Sequence, residues 1–513
     1  MKAELILTNA RIAKTDGATE IAVGRGRVIA VGRGLIGGCE PVRGAQILDC
    51  RGGTVMPGFI DAHLHFISFA DSLLSVDLRP RTGIRSIEGI QAALRRQAEA
   101  TPRGEWLKAK GYDEFRLVER RHPTRWDLDE AAPHHPVRLS HRSLHAHVLN
   151  SLALKFLGID LGTPDPAGGM IERDLTTGEP TGLLYEMGDV LARRVPRWPT
   201  HTFERAVKQA GQELAECGIT TFLDASPTID PARRKVLQDY KARGLIRQRV
   251  SMMMGREALP ELGPRSSFAS EHDGVAVWGI KAILDRTTGT PRPCREELIE
   301  TIQTAHRSGW PVAIHAVEEE TLEAALDAFE AVLGTGPSTA EPAHRIEHGS
   351  VCPPYLARRI AALGITVATQ PSFIHYHGSR YLASIPAEQH PYLYPLASWL
   401  RSGVHVAGSS DCPLVPPSPL MGIHAAVNRS AKNGDVVSPG EEISVDEAIS
   451  MYTISAARTL GLPSVSASLA PGQAADLVVL SHDPASVAAD ELQDIKVRLT
   501  MIGGETVWRA ADL

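Results

Sequence analysis

One pattern recurs through the middle of the chain and restricts the folds open to it: an amphipathic stretch, a glycine, then a short apolar run. From Phe203 to Cys217, the residues Val207, Ala210, Leu214 and Ala215 share one helical face. Gly218 stands where a helix cap falls, and Ile219-Thr220-Thr221-Phe222-Leu223 follows as a strand. The unit returns as Glu296 to Ser308, Gly309 and Pro311-Val312-Ala313-Ile314-His315. It returns again as Tyr355 to Leu363, Gly364 and Ile365-Thr366-Val367-Ala368-Thr369, and as Leu393 to Ser402, Gly403 and Val404-His405-Val406-Ala407-Gly408. Strands that are apolar throughout, each reached through a helix, predict a parallel sheet covered by helices. The count fits a (β/α)8 TIM barrel, and a doubly wound α/β sheet obeys the same pattern. A chain of 513 residues has room for one barrel and a smaller domain.

The two ends have a different texture. Leu5-Ile6-Leu7, Ala10-Arg11-Ile12 and Ile21-Ala22-Val23 are short strand candidates, and Gly24-Arg25-Gly26-Arg27 leads into Val28-Ile29-Ala30-Val31 as a hairpin. At the other end Asp476-Leu477-Val478-Val479-Leu480 reads as a strand, and Gly503-Gly504 joins two more. Residues 1–57 and 461–513 are therefore expected to build one small β-sandwich domain, with the barrel over 58–460. The stretch from about 67 to 200 is rich in Arg, Pro and His with scattered periodicity, and is expected to be a large insertion after the first barrel strand.

The bulk numbers exclude several classes. The net charge of −6, without a long basic block, gives no electrostatic basis for binding nucleic acid. Cys39, Cys50, Cys217, Cys294, Cys352 and Cys412 are scattered without a CxxC, which fits thiols of a reducing compartment better than a disulfide framework. The first residues, Met1-Lys2-Ala3-Glu4-Leu5-Ile6-Leu7, lack the apolar core of a signal peptide, and no apolar run is long enough for a membrane span. The expectation is a cytoplasmic protein acting on a small molecule, with a homodimer as the commonest oligomer.

Chemistry enters with Phe59-Ile60-Asp61-Ala62-His63-Leu64-His65. On a strand, side chains two apart leave on one face, so His63 and His65 can reach one ion; two histidines on an exposed edge strand fit the spacing equally well. Further metal-competent groups stand on or just after later apolar runs: Lys281, His315, His348 and Asp411. Residues at the carboxyl ends of barrel strands converge on one site. A Lys or Asp on such a strand is costly to bury unless it is paired or metal-bound.

This order of HxH, Lys, His, His and Asp resembles that of the amidohydrolase superfamily. Val55-Met56-Pro57-Gly58-Phe59-Ile60-Asp61-Ala62-His63-Leu64-His65 is similar to its opening motif, and Leu469-Ala470-Pro471-Gly472-Gln473-Ala474-Ala475-Asp476-Leu477 to its closing one. Gly111-Tyr112-Asp113-Glu114, His145-Ala146-His147-Val148-Leu149-Asn150-Ser151, Gly182-Leu183-Leu184-Tyr185-Glu186, Gln370-Pro371-Ser372 and Gly408-Ser409-Ser410-Asp411 are similar to segments of its type-3 branch, which includes N-substituted formamide deformylases. The resemblance implies metal ligands at His63, His65, Lys281, His315, His348 and Asp411. It implies a divalent cofactor, zinc as the expected ion, with two ions per chain or one. Lys281 would be carboxylated, turning a cation that repels metal into an anionic oxygen ligand. Asp411 would be the general base in hydrolysis of a C–N bond in an amide, formamide or cyclic amide.

Deamination, or hydrolysis of an ester, lactone, carbamate or phosphoester, belongs to the same superfamily, and a catalytically inactive scaffold is the remaining alternative. Deaminases of this kind tend to lack the lysine, and inactive relatives tend to lose ligands. One departure from the branch is Asp285-Arg286-Thr287-Thr288, where Arg286 replaces a glycine. Asp285, Arg286, His145, His375 and His377 are the candidate substrate-binding residues.

Overall fold

The computed structural model describes residues 2–513 except 39–40, 80–81, 167, 268–273, 285–291, 335, 338–339, 341 and 462–466. The chain packs as two compact units, residues 1–66 with 211–513, and residues 67–210.

The first unit holds an eight-stranded sheet: β1 (Phe59–Leu64), β2 (Ile219–Asp224), β3 (Arg249–Gly255), β4 (Val275–Ile283), β5 (Val312–Ala316), β6 (Arg345–His348), β7 (Thr366–Thr369) and β8 (Val406–Gly408). Each strand lies beside its neighbours in chain order, and every pairing is parallel. The sheet closes past the end of β8, where Asp411 N donates to His63 O and His65 N donates to Cys412 O, each at 2.8 Å. The result is a (β/α)8 barrel, not a doubly wound sheet.

The repeated pattern explains the barrel. Helices Thr200–Glu216, Arg295–Arg307, Pro354–Ala362 and Leu396–Arg401 precede β2, β5, β7 and β8. Gly218 and Gly403 follow two of them at φ 79° and 80°, a left-handed conformation that an L side chain resists. Val207, Ala210, Leu214 and Ala215 are buried, as the helical face requires. Along β1 the faces alternate: Ile60 and Ala62 pack with Ala456 and Leu460 of a covering helix, which leaves Asp61 and His63 on the opposite face.

The same unit contains two smaller sheets. One has four strands, Ala3–Thr8, Glu20–Gly24, Arg27–Gly32 and Pro41–Asp49. The other has five and takes Arg11–Ile12 and Thr54–Pro57 from one end of the chain, and Leu477–Leu480, Val497–Ile502 and Glu505–Arg509 from the other. Leu5, Leu7, Ile21 and Val23 of the first pack with Val55, Leu477, Val479 and Leu499 of the second, a β-sandwich core built from both termini.

The second unit is a six-stranded mixed sheet in the order Met170–Arg173, Pro180–Tyr185, Ala146–Leu149, Val137–His141, Leu107–Tyr112, Val76–Asp77. Ile90, Leu94, Leu107, Leu128, Leu139 and Val148 form its core. Among the described residues no helix is long and apolar enough to cross a membrane.

Candidate metal centre

His63 lies in β1, and His65 is the first residue beyond it. Their rings are 5.3 Å apart and nearly perpendicular. Their Nε2 atoms face the same oxygen, Asp411 Oδ1, at 3.5 Å from His63 and 2.9 Å from His65. His348, at the end of β6, stacks its ring 5.1 Å from His63, and His315, in β5, lies 4.4 Å from His348. Lys281, in β4, is buried, with Nζ 4.0 Å from Glu347 Oε2. The six residues expected to ligate metal thus come together at one end of the barrel. His348, the last residue of β6, and Asp411, three residues past β8, hold left-handed backbone, at φ 72° and 56°.

Hydrogen bonds decide what these groups can do. His63 Nδ1 contacts the carboxylate of Glu347. His65 Nδ1 lies 3.1 Å from Ser226 Oγ, whose own proton goes to Asp224 Oδ1 at 2.6 Å. His348 Nδ1 lies 2.8 Å from Gln370 Oε1, and Gln370 Nε2 donates to Ser409 Oγ at 3.0 Å. Every partner accepts, so each neutral ring carries its proton on Nδ1 and keeps a lone pair on Nε2. Two of those lone pairs point at Asp411 Oδ1, an oxygen that is buried and accepts no well-formed hydrogen bond. Electron-pair donors facing one another with no proton between them fit a cation. Lys281 Nζ is likewise buried with no hydrogen bond. Such an orphaned amine fits conversion to a carbamate that ligates metal.

The charges agree. Burial, reinforced by the Lys281 charge, pushes His63 down to about 3 and keeps it neutral. Burial pushes the Lys281 amine down to about 8.

Several residues at the site were not among the predicted ones. Asp61 Oδ1 accepts from His63 N and Ser410 N, each at 3.1 Å, and so ties β1 to the turn that carries Asp411. Burial pushes its carboxyl up to about 7. Glu347, Arg345, Ser226, Asp224 and Ser409 are the others. The signal for two of them lay in His344-Arg345-Ile346-Glu347-His348, where charges two apart on a strand must share a buried face.

The other predicted residues divide. His145 belongs to the insertion, with Nδ1 2.9 Å from Glu186 Oε1. His375 and His377 lie on the helix Ser372–Ser384 that follows β7, His377 buried. Asp285 and Arg286 lie outside the described residues. The insertion has one further group with ligand atoms within 4.8 Å of each other, Asp113, Glu114 and His141.

Comparison with known proteins agrees with the geometry. The family model described as "Amidohydrolase family", of the type-3 branch, matches residues 46–508. The chain is 30% identical to an N-substituted formamide deformylase of Arthrobacter pascens, covering 98% of this chain and 97% of that protein. Among solved structures, a metal-dependent hydrolase from Pyrococcus horikoshii superposes with a TM-score of 0.73 at 24% identity, covering 94% of this chain and 99% of that one. A second, from Pyrococcus furiosus, gives 0.70 at 25% identity, over 94% and 100%. With its barrel, its sandwich and the order of its strand-end residues, the chain belongs to the amidohydrolase family, in the type-3 branch.

Proposed function

We propose that this protein hydrolyses the C–N bond of a small amide, formamide or cyclic amide, with His63, His65, Lys281, His315, His348 and Asp411 holding the metal and Asp411 as general base. The observation that carries the proposal is the convergence of His63 Nε2 and His65 Nε2 on Asp411 Oδ1, three acceptors with no donor among them. A divalent ion held there, zinc as the expected species, supplies the positive charge that makes water acidic near neutral pH and polarises a carbonyl. Two ions are expected, and Lys281, as a carbamate, would be among the residues that hold them.

The chain's own residues do the rest. One oxygen of the Asp411 carboxylate takes the proton as water adds to the carbonyl carbon. The same proton passes to the nitrogen as the C–N bond breaks, giving a carboxylic acid and an amine. Asp61 keeps the Asp411 turn against β1 while this happens. The likeness to an N-substituted formamide deformylase makes N-formyl compounds the first substrates to try.

The test is a hydrolysis screen of the zinc-loaded protein over N-formyl, N-acyl and cyclic amides, repeated with Asp411→Asn. The variant should still fold and bind metal while turnover falls roughly 10²–10⁴-fold. Near-normal turnover removes Asp411 from the base role. No metal bound after reconstitution with zinc and bicarbonate defeats the proposal as a whole.

A further inference from the structure

The histidines of the centre do not receive equal support from behind. His65 leans on a hydroxyl, Ser226, and His348 on a neutral amide, Gln370. Of these three rings, His63 is the one with a carboxylate directly on Nδ1. That carboxylate, Glu347, is fully buried, and so is its counter-ion Arg345. Arg345 Nε and Nη2 reach the two oxygens of Glu347, Nη2 to Oε2 at 2.8 Å, and Nη2 also donates to Ala62 O at 3.0 Å. The guanidinium therefore holds both Glu347 and the backbone one residue before His63. Its flat face lies 4.9 Å from the Trp278 ring, whose Nε1 is tied to Thr459 O at 2.8 Å.

We propose that Glu347, locked by Arg345, is a positioning residue of the metal centre: it fixes the tautomer and aim of His63 and makes that ring a stronger neutral ligand. A fully buried ion pair on a barrel strand is hard to justify by stability, since apolar side chains of similar volume usually serve as well. A carboxylate behind a ligating imidazole does have a use. It fixes the ring and raises its basicity, and loss of such a partner typically weakens metal binding 10–100-fold. Geometry also says why the residue must be Glu. Oε1 and Oε2 both accept from Arg345, and Oε2 also accepts from His63 Nδ1. An amide nitrogen at either position would meet a donor, so Gln cannot satisfy both neighbours.

The inference rests on the metal centre proposed above, and the experiment separates the two. Zinc affinity is measured by competition with a chelator for the wild type, Glu347→Gln, Ser226→Ala and the paired apolar exchange Arg345→Met with Glu347→Leu. The visible spectrum of each cobalt-substituted protein is recorded alongside. Glu347→Gln should weaken zinc roughly 10–100-fold and shift the cobalt bands, while Ser226→Ala weakens it by less than about 10-fold. The paired exchange removes both charges, so it should unfold no earlier than the wild type yet lose the same affinity. Wild-type affinity in the paired exchange, or in Glu347→Gln, overturns the inference and leaves the ion pair a packing feature. A wild type that binds no divalent ion overturns the metal centre itself.

Discussion

His141 in the insertion and His65 in the barrel both sit beside a carboxylate, and the atoms behind the two rings make them opposites. Behind His141, the backbone N–H of Ser143 donates to Nδ1 at 3.2 Å. The proton of a neutral His141 is therefore on Nε2, on the side where Glu114 Oε2 lies 2.6 Å away. Behind His65, Ser226 Oγ has given its proton to Asp224, so it accepts from Nδ1. The same distance class, 2.9 Å from Nε2 to a carboxylate oxygen, then brings two lone pairs together. Proximity of His to Asp or Glu does not distinguish a salt bridge from a metal site. The group behind the ring does.

That contrast can be broken by metal analysis. Replacing His63 and His65 by Ala together should remove most of the bound metal and cut turnover more than about 100-fold, as loss of a Lewis acid requires. Replacing Lys281 by Ala should lower the metal content from about two ions per chain to about one, and a small carboxylate such as acetate should restore part of it by standing in for the carbamate. Metal content that stays at two without Lys281 removes it from the ligand set. Glu114→Gln should leave metal content untouched and cost only stability, about 1–3 kcal/mol, because the buried Nε2 proton keeps a weaker acceptor. A fall in metal content in that variant would make the insertion a metal site and erase the distinction.

The barrel was legible because its signal is local. A helix face, a positive-φ glycine and an apolar strand are each readable within a dozen residues, and Gly218, Gly309, Gly364 and Gly403 all stand where the pattern put them. The strand-end His, Lys and Asp were legible for the same reason. The insertion was not. Its sheet includes a strand of two residues, Val76–Asp77, too short to carry a period. The residues behind the histidines were hidden for another reason. Ser226 follows β2, Glu347 lies in β6 and Gln370 follows β7, so their pairing with His65, His63 and His348 exists only once strands are in register. Hydrogen-bond direction, which decides tautomers, leaves no trace in residue spacing.

The seam of the barrel has one more consequence. The turn after β8 is fastened to β1 through Ser410 N on Asp61 and Asp411 N on His63 O, between residues as far as 349 apart in sequence. Asp411 therefore has no defined place until the last strand meets the first. Contacts of such separation carry a large loop-closure cost. A barrel missing its final strand gives no fixed place to Asp411, whose oxygen the two histidines face. With Asp411 as the proposed base, turnover is expected only from the fully closed barrel.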